Sequence, residues 1–273
     1  MEKIQLTEFK KIKGIQAASG LLFSKEVLFI ISDNSSFLYQ YILDKDLLLK
    51  FPLVKEAQEK IAKKNKPDLE AITSYGNQLF LFGSGSTENR NMMFTLDLTN
   101  DQLQIKDLSN LYSFLKNIAQ LEGNELNIEG AICVDKTMYL FQRGNGQNSK
   151  NGIFIVPDSQ DKQIQYFPLS LPSLDDVECT FTDAILVNEH IYFLATAENT
   201  ISTFEDGEIL GSILGKINFQ TFELEDVILL SENKKFEGIT LFQQNDTTIS
   251  FLLCEDTDKE VEYTILYQLI IKK

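Results

Sequence analysis

The feature that most constrains the fold of this chain is a unit that occurs five times. Each copy has an apolar extended run, a short turn and a second apolar run that ends in small or polar residues. In the second copy, Tyr75-Gly76-Asn77 forms the turn and Gln78–Phe82 the second run. Strand-like runs bounded by turn residues, without a helical period, predict β-hairpins. The copies begin at Gly14, Leu69, Ile128, Phe181 and Phe236.

The spacing of the copies indicates the architecture. Aligned on Glu70, they place Gln16, Glu129, Thr182 and Glu237 in register, with spacings of 54, 59, 53 and 55 residues. A repeat of this length with strand character is typical of propeller blades. We therefore expect residues 1–273 to form a single all-β domain, a five-bladed β-propeller of four-stranded antiparallel blades.

The two ends of the chain and two connections complete this prediction. The fifth repeat contains three strands, and an isolated strand at residues 3–9 can supply the missing fourth, which would leave no free sheet edge. Val54–Asn65 is rich in helix-forming residues, and Asn110–Leu121 has apolar residues on one face after a capping Ser109. We expect two short helices there, both on the top face of the ring.

Composition excludes some partners. The chain carries 40 acidic and 25 basic residues, a net charge of −15. This balance disfavours nucleic acid and anionic membranes, which need clustered positive charge. No apolar run is long enough for a membrane helix, the N-terminus lacks the pattern of a signal peptide, and three cysteines show no metal-like spacing. The sequence predicts a soluble, cytoplasmic protein, unless a signal peptide has been removed.

The repeats also predict a site. In a meander, the start of the first strand and the end of the second lie at the same end of the blade, so the repeated positions should gather at one channel mouth. Arg90 and Arg143 are the only arginines among 25 basic residues, and both follow second strands. The expected ligand-binding residues are Glu70, Ser84, Gly85, Ser86, Arg90, Glu129, Arg143, Asn145 and Glu237.

These residues allow several interpretations. Arginine's planar fork suits the carboxylate or phosphate of a small anionic ligand or of a partner protein. Alternatively, the arginines pair with the glutamates and hold the rim together. Glu70, Glu129 and Glu237 could bind Ca²⁺, since three carboxylates around an axis repel one another unless a cation lies between them. They could instead accept backbone N–H bonds from neighbouring blades.

Three segments carry a resemblance to known proteins. At DLEAI (68–72), FLFGSGS (80–86) with Arg90, and NIEGAI (127–132), the chain resembles uncharacterised bacterial β-propeller proteins that are loosely similar to phytase-like propellers. The resemblance implies a metal-compatible channel mouth and hydrolysis of phosphoesters or esters. Its pattern covers Glu70, Ser84, Gly85, Arg90, Glu129 and Arg143, whereas blade four departs from it at Thr182.

We therefore expect a propeller of unknown specific function that binds a small anionic ligand or partner at the channel mouth. The alternative is a metal-dependent phosphoester or lactone hydrolase. Binding ranks above catalysis because the only histidine, His190, begins the second strand of blade four at the opposite end. No cofactor other than Ca²⁺ is suggested.

Overall fold

The computed structural model describes residues 4–146, 150–159, 161–200, 207–257 and 261–273, and it confirms the five-bladed propeller. After β1 (Ile4–Lys13), the strands of the blades follow in chain order. Blade one contains β2 (Ala18–Ser24), β3 (Val27–Ser32), β4 (Phe37–Ile42) and β5 (Leu47–Pro52). Blade two contains β6 (Leu69–Tyr75), β7 (Gln78–Gly83), β8 (Met92–Asp97) and β9 (Gln102–Asp107). Blade three contains β10 (Ile128–Val134), β11 (Thr137–Gln142), β12 (Gly152–Val156) and β13 (Gln165–Pro168).

The remaining strands follow a small hairpin of β14 (Ser173–Leu174) and β15 (Val177–Glu178), which connects blades three and four. Blade four contains β16 (Thr180–Val187), β17 (His190–Asn199), β18 (Glu208–Asn218) and β19 (Leu224–Ser231), and blade five β20 (Lys235–Gln244), β21 (Thr248–Asp256) and β22 (Tyr263–Lys272). β17 extends to Asn199 and β18 begins at Glu208, and residues 201–206 between them lie outside the described residues.

The N-terminal strand closes the ring as predicted. β1 pairs antiparallel with β22 from Ile4↔Ile271 to Lys13↔Tyr263, so the fifth sheet has the order β1-β22-β21-β20. The strand is longer than the predicted residues 3–9, of which Lys3 lies outside the described residues. Closure pairs the outer edge of the last blade with a segment from the opposite end of the chain.

The core is divided between the blades. Five clusters of buried apolar residues lie one at each interface between adjacent blades. β7 shows why the sequence folds this way: Leu79 and Leu81 pack towards blade one, whereas Phe80 and Phe82 pack towards blade three. Successive side chains of a strand point to opposite faces, so an uninterrupted apolar run suits a sheet that is covered on both sides.

The later of the two expected helices is present as α1 (Ser109–Ala119). Asp107 Oδ1 accepts the Ser109 backbone N–H at 2.7 Å, so Asp107 rather than Ser109 satisfies this end of the helix. The buried face consists of Tyr112, Leu115 and Ala119, while Phe114 is 47% exposed. In the described ranges, no helix is long and apolar enough to cross a membrane.

The helix predicted at Val54–Asn65 is wrong. This segment consists of turns and bends, because its backbone groups pair with the loop between β3 and β4. Ser36 N donates to Gln58 O at 3.0 Å, Gln58 N donates to Ser36 Oγ at 2.9 Å, and Ile61 N donates to Asn34 O at 2.7 Å. Tertiary hydrogen bonds thus replace the helical ones that residue propensity favours.

Ring closure leads to the first prediction. Deleting residues 1–10 removes most of β1 and exposes the edge of β22, so we expect the free energy of unfolding to fall by several kcal/mol. Denaturant unfolding measures this, with deletion of residues 1–3, which precede β1, as the control. Equal stability of the two deletions would show that β1 is not needed for closure.

Candidate functional site

The innermost strands of the five blades are β2, β6, β10, β16 and β20, which contact one another around the channel. Each has a β-bulge near its start, and the bulge residues form the candidate site. The register of each inner strand skips one residue, and the skipped residues are Ser19, Glu70, Glu129, Thr182 and Glu237. A bulge leaves its extra residue outside the ladder and redirects its side chain. The alignment of Gln16 with Glu70 is therefore wrong, since Gln16 precedes β2 and the equivalent residue is Ser19.

The inner strands approach one another closely just after the bulge. A Cβ atom at Gly130 would lie 3.0 Å from Ala184 N in blade four, and one at Gly238 would lie 3.0 Å from Leu21 N in blade one. Small residues are required at these two positions because the neighbouring backbone occupies the space. The bulge side chains are thus gathered around a narrow channel.

The two bulge hydroxyls join neighbouring blades. Ser19 Oγ donates to Leu69 O at 2.5 Å, and Thr182 Oγ1 donates to Phe236 O at 2.6 Å. In both cases the acceptor is the carbonyl that immediately precedes a bulge glutamate of the next blade. Ser19 and Thr182 therefore hold Glu70 and Glu237 in place through the backbone.

All three nitrogens of the Arg143 guanidinium contact side chains of the protein. Its Nη1 lies 3.2 Å from Glu129 Oε1, its Nη2 lies 2.6 Å from Glu198 Oε2, and its Nε donates to Thr180 Oγ1 at 3.2 Å. The interpretation in which arginine pairs with a rim glutamate is confirmed for Arg143 and Glu129. The guanidinium joins blade three to the second strand of blade four.

Arg90 forms a separate cluster in blade two. Its Nη1 binds Asp68 Oδ2 and Ser86 Oγ, both at 2.7 Å, and its Nη2 donates to Lys63 O at 3.2 Å. Ser84 Oγ donates to the same Asp68 Oδ2 at 2.5 Å. Sequence reasoning missed the role of Asp68, although it opens the DLEAI motif two residues before Glu70.

The predicted glycine-serine ligand loop is covered by α1. Gly85 has φ +80°, and a Cβ there would lie 2.6 Å from the ring of Tyr112. Tyr112 also donates its hydroxyl to Gly83 O at 2.8 Å. Ser84 and Ser86 are buried and hydrogen-bonded to each other at 2.9 Å. The small residues allow the close approach of a tyrosine ring.

Three carboxylates converge beside Lys66. Lys66 Nζ binds Asp33 Oδ2 and lies 2.7 Å from Asp68 Oδ1. One oxygen each from Asp33, Asp68 and Glu70 lies within 4.8 Å of the others. Glu70 is 8% exposed, and no donor among the described residues hydrogen-bonds to its carboxylate. The second oxygen of Asp33, Oδ1, is also buried and has no hydrogen-bond partner.

The structure does not gather the three predicted metal-binding glutamates into one ligand set. Glu129 binds Arg143 and also accepts from Asn127 at 2.7 Å, and Glu237 lies 2.8 Å from Lys235 Nζ. Asn145 takes part only indirectly, because its Oδ1 accepts from Asn127 at 3.3 Å. Two of the glutamates thus form an ion pair, whereas Glu70 forms none with the residues that the structure describes.

The backbone N–H interpretation holds for a residue outside the predicted set. Asp183 accepts the Ala184 N–H at 2.7 Å and the Ile239 N–H of blade five at 2.8 Å. It follows the bulge in blade four, where the other blades have glycine or alanine. Burial nevertheless raises the pKa of Asp183 well above its ordinary value.

We call the charged residues of this end the mouth network. It contains eight carboxylates and four cations: Asp33, Asp68, Glu70, Glu129, Asp183, Glu198, Glu237 and Asp256, with Lys66, Arg90, Arg143 and Lys235. Burial and the excess of negative charge act together on these groups. Burial, followed by repulsion from Glu129 and Asp68, raises the pKa of Glu70 well above its ordinary value. Burial also raises the pKa of Glu237, to about 8.

His190 lies away from this network, as its place at the start of β17 predicts. Its Nε2 lies 3.2 Å from Glu225 Oε2, on the outermost strand of blade four. The described residues of the mouth network therefore include no histidine, and its acid–base groups are carboxylates.

Residues 14–271 match the sequence profile of a family described as a family of unknown function, DUF6929. The chain belongs to the DUF6929 family. The matched range covers the inner strands of all five blades. It also covers every residue of the mouth network, from Asp33 to Asp256. No curated protein matches the sequence. These findings give no support to the phytase-like part of the resemblance or to a bacterial origin.

Solved structures resemble this DUF6929 protein in fold. The Malassezia sympodialis allergen Mala s 1 aligns with a TM-score of 0.59, 8% identity and 95% coverage of both chains. A luciferin-regenerating enzyme aligns with a TM-score of 0.55 and 10% identity, covering 99% of this chain and 97% of that chain. An exo-1,5-α-L-arabinanase from a bovine ruminal metagenomic library gives 0.51 and 10%, covering 95% and 94%. At such identities the likeness shows the fold alone.

The planar guanidinium of Arg143, which contacts two carboxylates, leads to a second prediction. Arg143→Lys keeps the charge but cannot contact Glu129 and Glu198 with two separate nitrogens of a planar group, so we expect a loss of about 1–3 kcal/mol in the free energy of unfolding. Arg143→Met, which leaves both carboxylates without this cation, should lose more. Denaturant unfolding of both variants measures the order. A lysine variant as stable as the unsubstituted protein would contradict a role for the fork.

The position of Glu70 leads to a third prediction. Its pKa is raised on folding, so the folded state holds the proton more tightly than the unfolded state. The contribution of Glu70 to stability is therefore fully present below the unfolded pKa, near 4.5, and is lost as the pH rises towards the folded pKa. We expect Glu70→Gln to reduce the fall in stability between about pH 5 and pH 8.

Denaturant unfolding across this pH range, in buffer containing a chelator, tests the prediction. Glu88→Gln is the control, because Glu88 is exposed and its substitution removes an equal charge from outside the mouth network. Curves for Glu70→Gln and Glu88→Gln that fall equally with pH would rule out Glu70 as the source of the effect.

Proposed function

We propose that this DUF6929 protein binds a divalent metal ion of the calcium class at the channel mouth, with Glu70, Asp33 and Asp68 as protein ligands. The observation that carries the proposal is the convergence of these three carboxylates, of which the buried Asp33 Oδ1 has no hydrogen-bond partner in the part of the chain that the structure describes. A buried polar atom without a partner is costly. A bound cation would remove this cost.

The geometry of the three carboxylates favours a hard cation. Ca²⁺ takes oxygen ligands at about 2.3–2.6 Å, so ligands on opposite sides of the ion lie up to about 5 Å apart. The three oxygens all lie within 4.8 Å of one another, which is below this limit. The unpartnered Oδ1 of Asp33 is an acceptor that Lys66, bound to Oδ2, leaves unused.

The charge balance favours a cation over the anionic ligand expected from the sequence. The guanidinium of Arg143 contacts Glu129 and Glu198, and that of Arg90 contacts Asp68. An anion would have to displace these carboxylates within a network that already contains twice as many carboxylates as cations. The alternative function, hydrolysis of a phosphoester or lactone, depends on a bound metal ion in the same way.

Calorimetric titration of chelator-treated protein with Ca²⁺, Mg²⁺ and Mn²⁺ tests the proposal. We expect saturable binding of Ca²⁺ and an increase in stability of about 2.7 kcal/mol when the free ion is at about 100 times its Kd. Glu70→Gln should abolish both effects, whereas Glu88→Gln, in an exposed position, should preserve them. If none of the three ions gives a heat signal or a thermal shift at millimolar concentration, the proposal is wrong.

A further inference from the structure

Lys66 occupies the place where an incoming metal ion would find two of its ligands. Its Nζ contacts Asp33 Oδ2 and Asp68 Oδ1 together, and its side chain is only 11% exposed. We propose that Lys66 is a tethered cation which the metal ion must displace, and that it thereby sets the affinity of the mouth for cations. This inference rests on the proposed metal site and identifies the residue that regulates it.

Electrostatic repulsion requires the displacement. A metal ion bonded to oxygens of Asp33, Asp68 and Glu70 would lie within a few ångströms of Lys66 Nζ, because both would share the same carboxylates. At such distances, in a site this buried, two cations repel each other strongly. Lys66 does not contact Glu70 within ion-pair distance. The metal ion can therefore bind a third carboxylate that Lys66 does not use.

The local structure allows the side chain to leave while the backbone stays. Lys66 N donates to Ala62 O at 3.1 Å, and Lys66 O accepts from Asn89 Nδ2 at 2.9 Å. Lys66 ends the irregular connection that replaces the predicted helix. Its four-carbon stem can rotate the ammonium towards solvent without disturbing these bonds.

Lys235 provides a contrast within the same network. Its Nζ lies 2.8 Å from Glu237 and 3.8 Å from Asp256, with 7% of the side chain exposed. Neither of these carboxylates belongs to the group of three converging oxygens. Lys235 is thus a buried lysine with two carboxylate neighbours, like Lys66, but neither neighbour is a proposed ligand of the ion.

The first test measures affinity. Replacing Lys66 with methionine removes the competitor, so we expect Ca²⁺ to bind Lys66→Met at least about tenfold more tightly than the unsubstituted protein, as the loss of a close like charge implies. Lys106→Met is the control, since Lys106 is exposed on β9 and its loss changes the net charge equally. An affinity of Lys66→Met within about twofold of the control would overturn the inference.

The second test observes the displacement in the unsubstituted protein. An amine-acylating reagent, with modification read by peptide mass spectrometry, should modify Lys66 slowly without Ca²⁺ and several times faster with saturating Ca²⁺. Lys235 should stay protected in both conditions and is the internal control. If Ca²⁺ binds and Lys66 remains as protected as Lys235, the ion does not displace the lysine.

The two tests separate failure of this inference from failure of the proposed function. If neither the unsubstituted protein nor Lys66→Met binds Ca²⁺, the metal site itself is wrong and the inference falls with it. If both bind with equal affinity and Lys66 stays protected, only the role of Lys66 is wrong. If Lys66→Met does not fold without Ca²⁺, the acylation of the unsubstituted protein decides.

Discussion

The close approach of five inner strands around the channel is the constraint on which the rest of the structure depends. At Gly130 and Gly238 a Cβ atom would lie only 3.0 Å from the neighbouring backbone, and four of the five positions just after the bulge are glycine or alanine, Asp183 being the exception. The bulge is the point where a side chain can leave this crowded ring. Three of the five bulge residues are glutamates, and their carboxylates are consequently forced into one buried region.

Such a gathering of carboxylates must be compensated, and the protein does so with ion pairs that cross between structural units. Arg143 joins blade three to blade four, and Lys66 joins Asp33 of blade one to Asp68 beside blade two. Removing one member of a buried pair leaves its partner uncompensated. The same contacts that neutralise the mouth therefore also help to hold the blades together, and stability and ligand binding depend on one network.

The repeat, the strand order and the ring closure could be predicted because they follow from local periodicity and from the pairing needs of sheet edges. The helix at Val54–Asn65 could not, since Ser36 and Asn34 reach it only in the folded ring. The roles of Asp68 and Lys66 were not predicted either, because both residues precede the aligned repeat that begins at Leu69. The bulge equivalence of Ser19 was missed because blade one has a serine where blades two, three and five have glutamate.

Departures from the repeat give a five-fold scaffold a single candidate site. In blades one and four, hydroxyls replace the glutamate and bond to the next blade; in blades three and five, Arg143 and Lys235 accompany it. Only in blade two, among the residues described, is the bulge carboxylate without a direct partner, although Lys66 and Arg90 lie on the neighbouring Asp68. A symmetrical ring of paired charges would serve packing alone. The unpaired Glu70 breaks that symmetry, and the binding chemistry of the mouth is concentrated there.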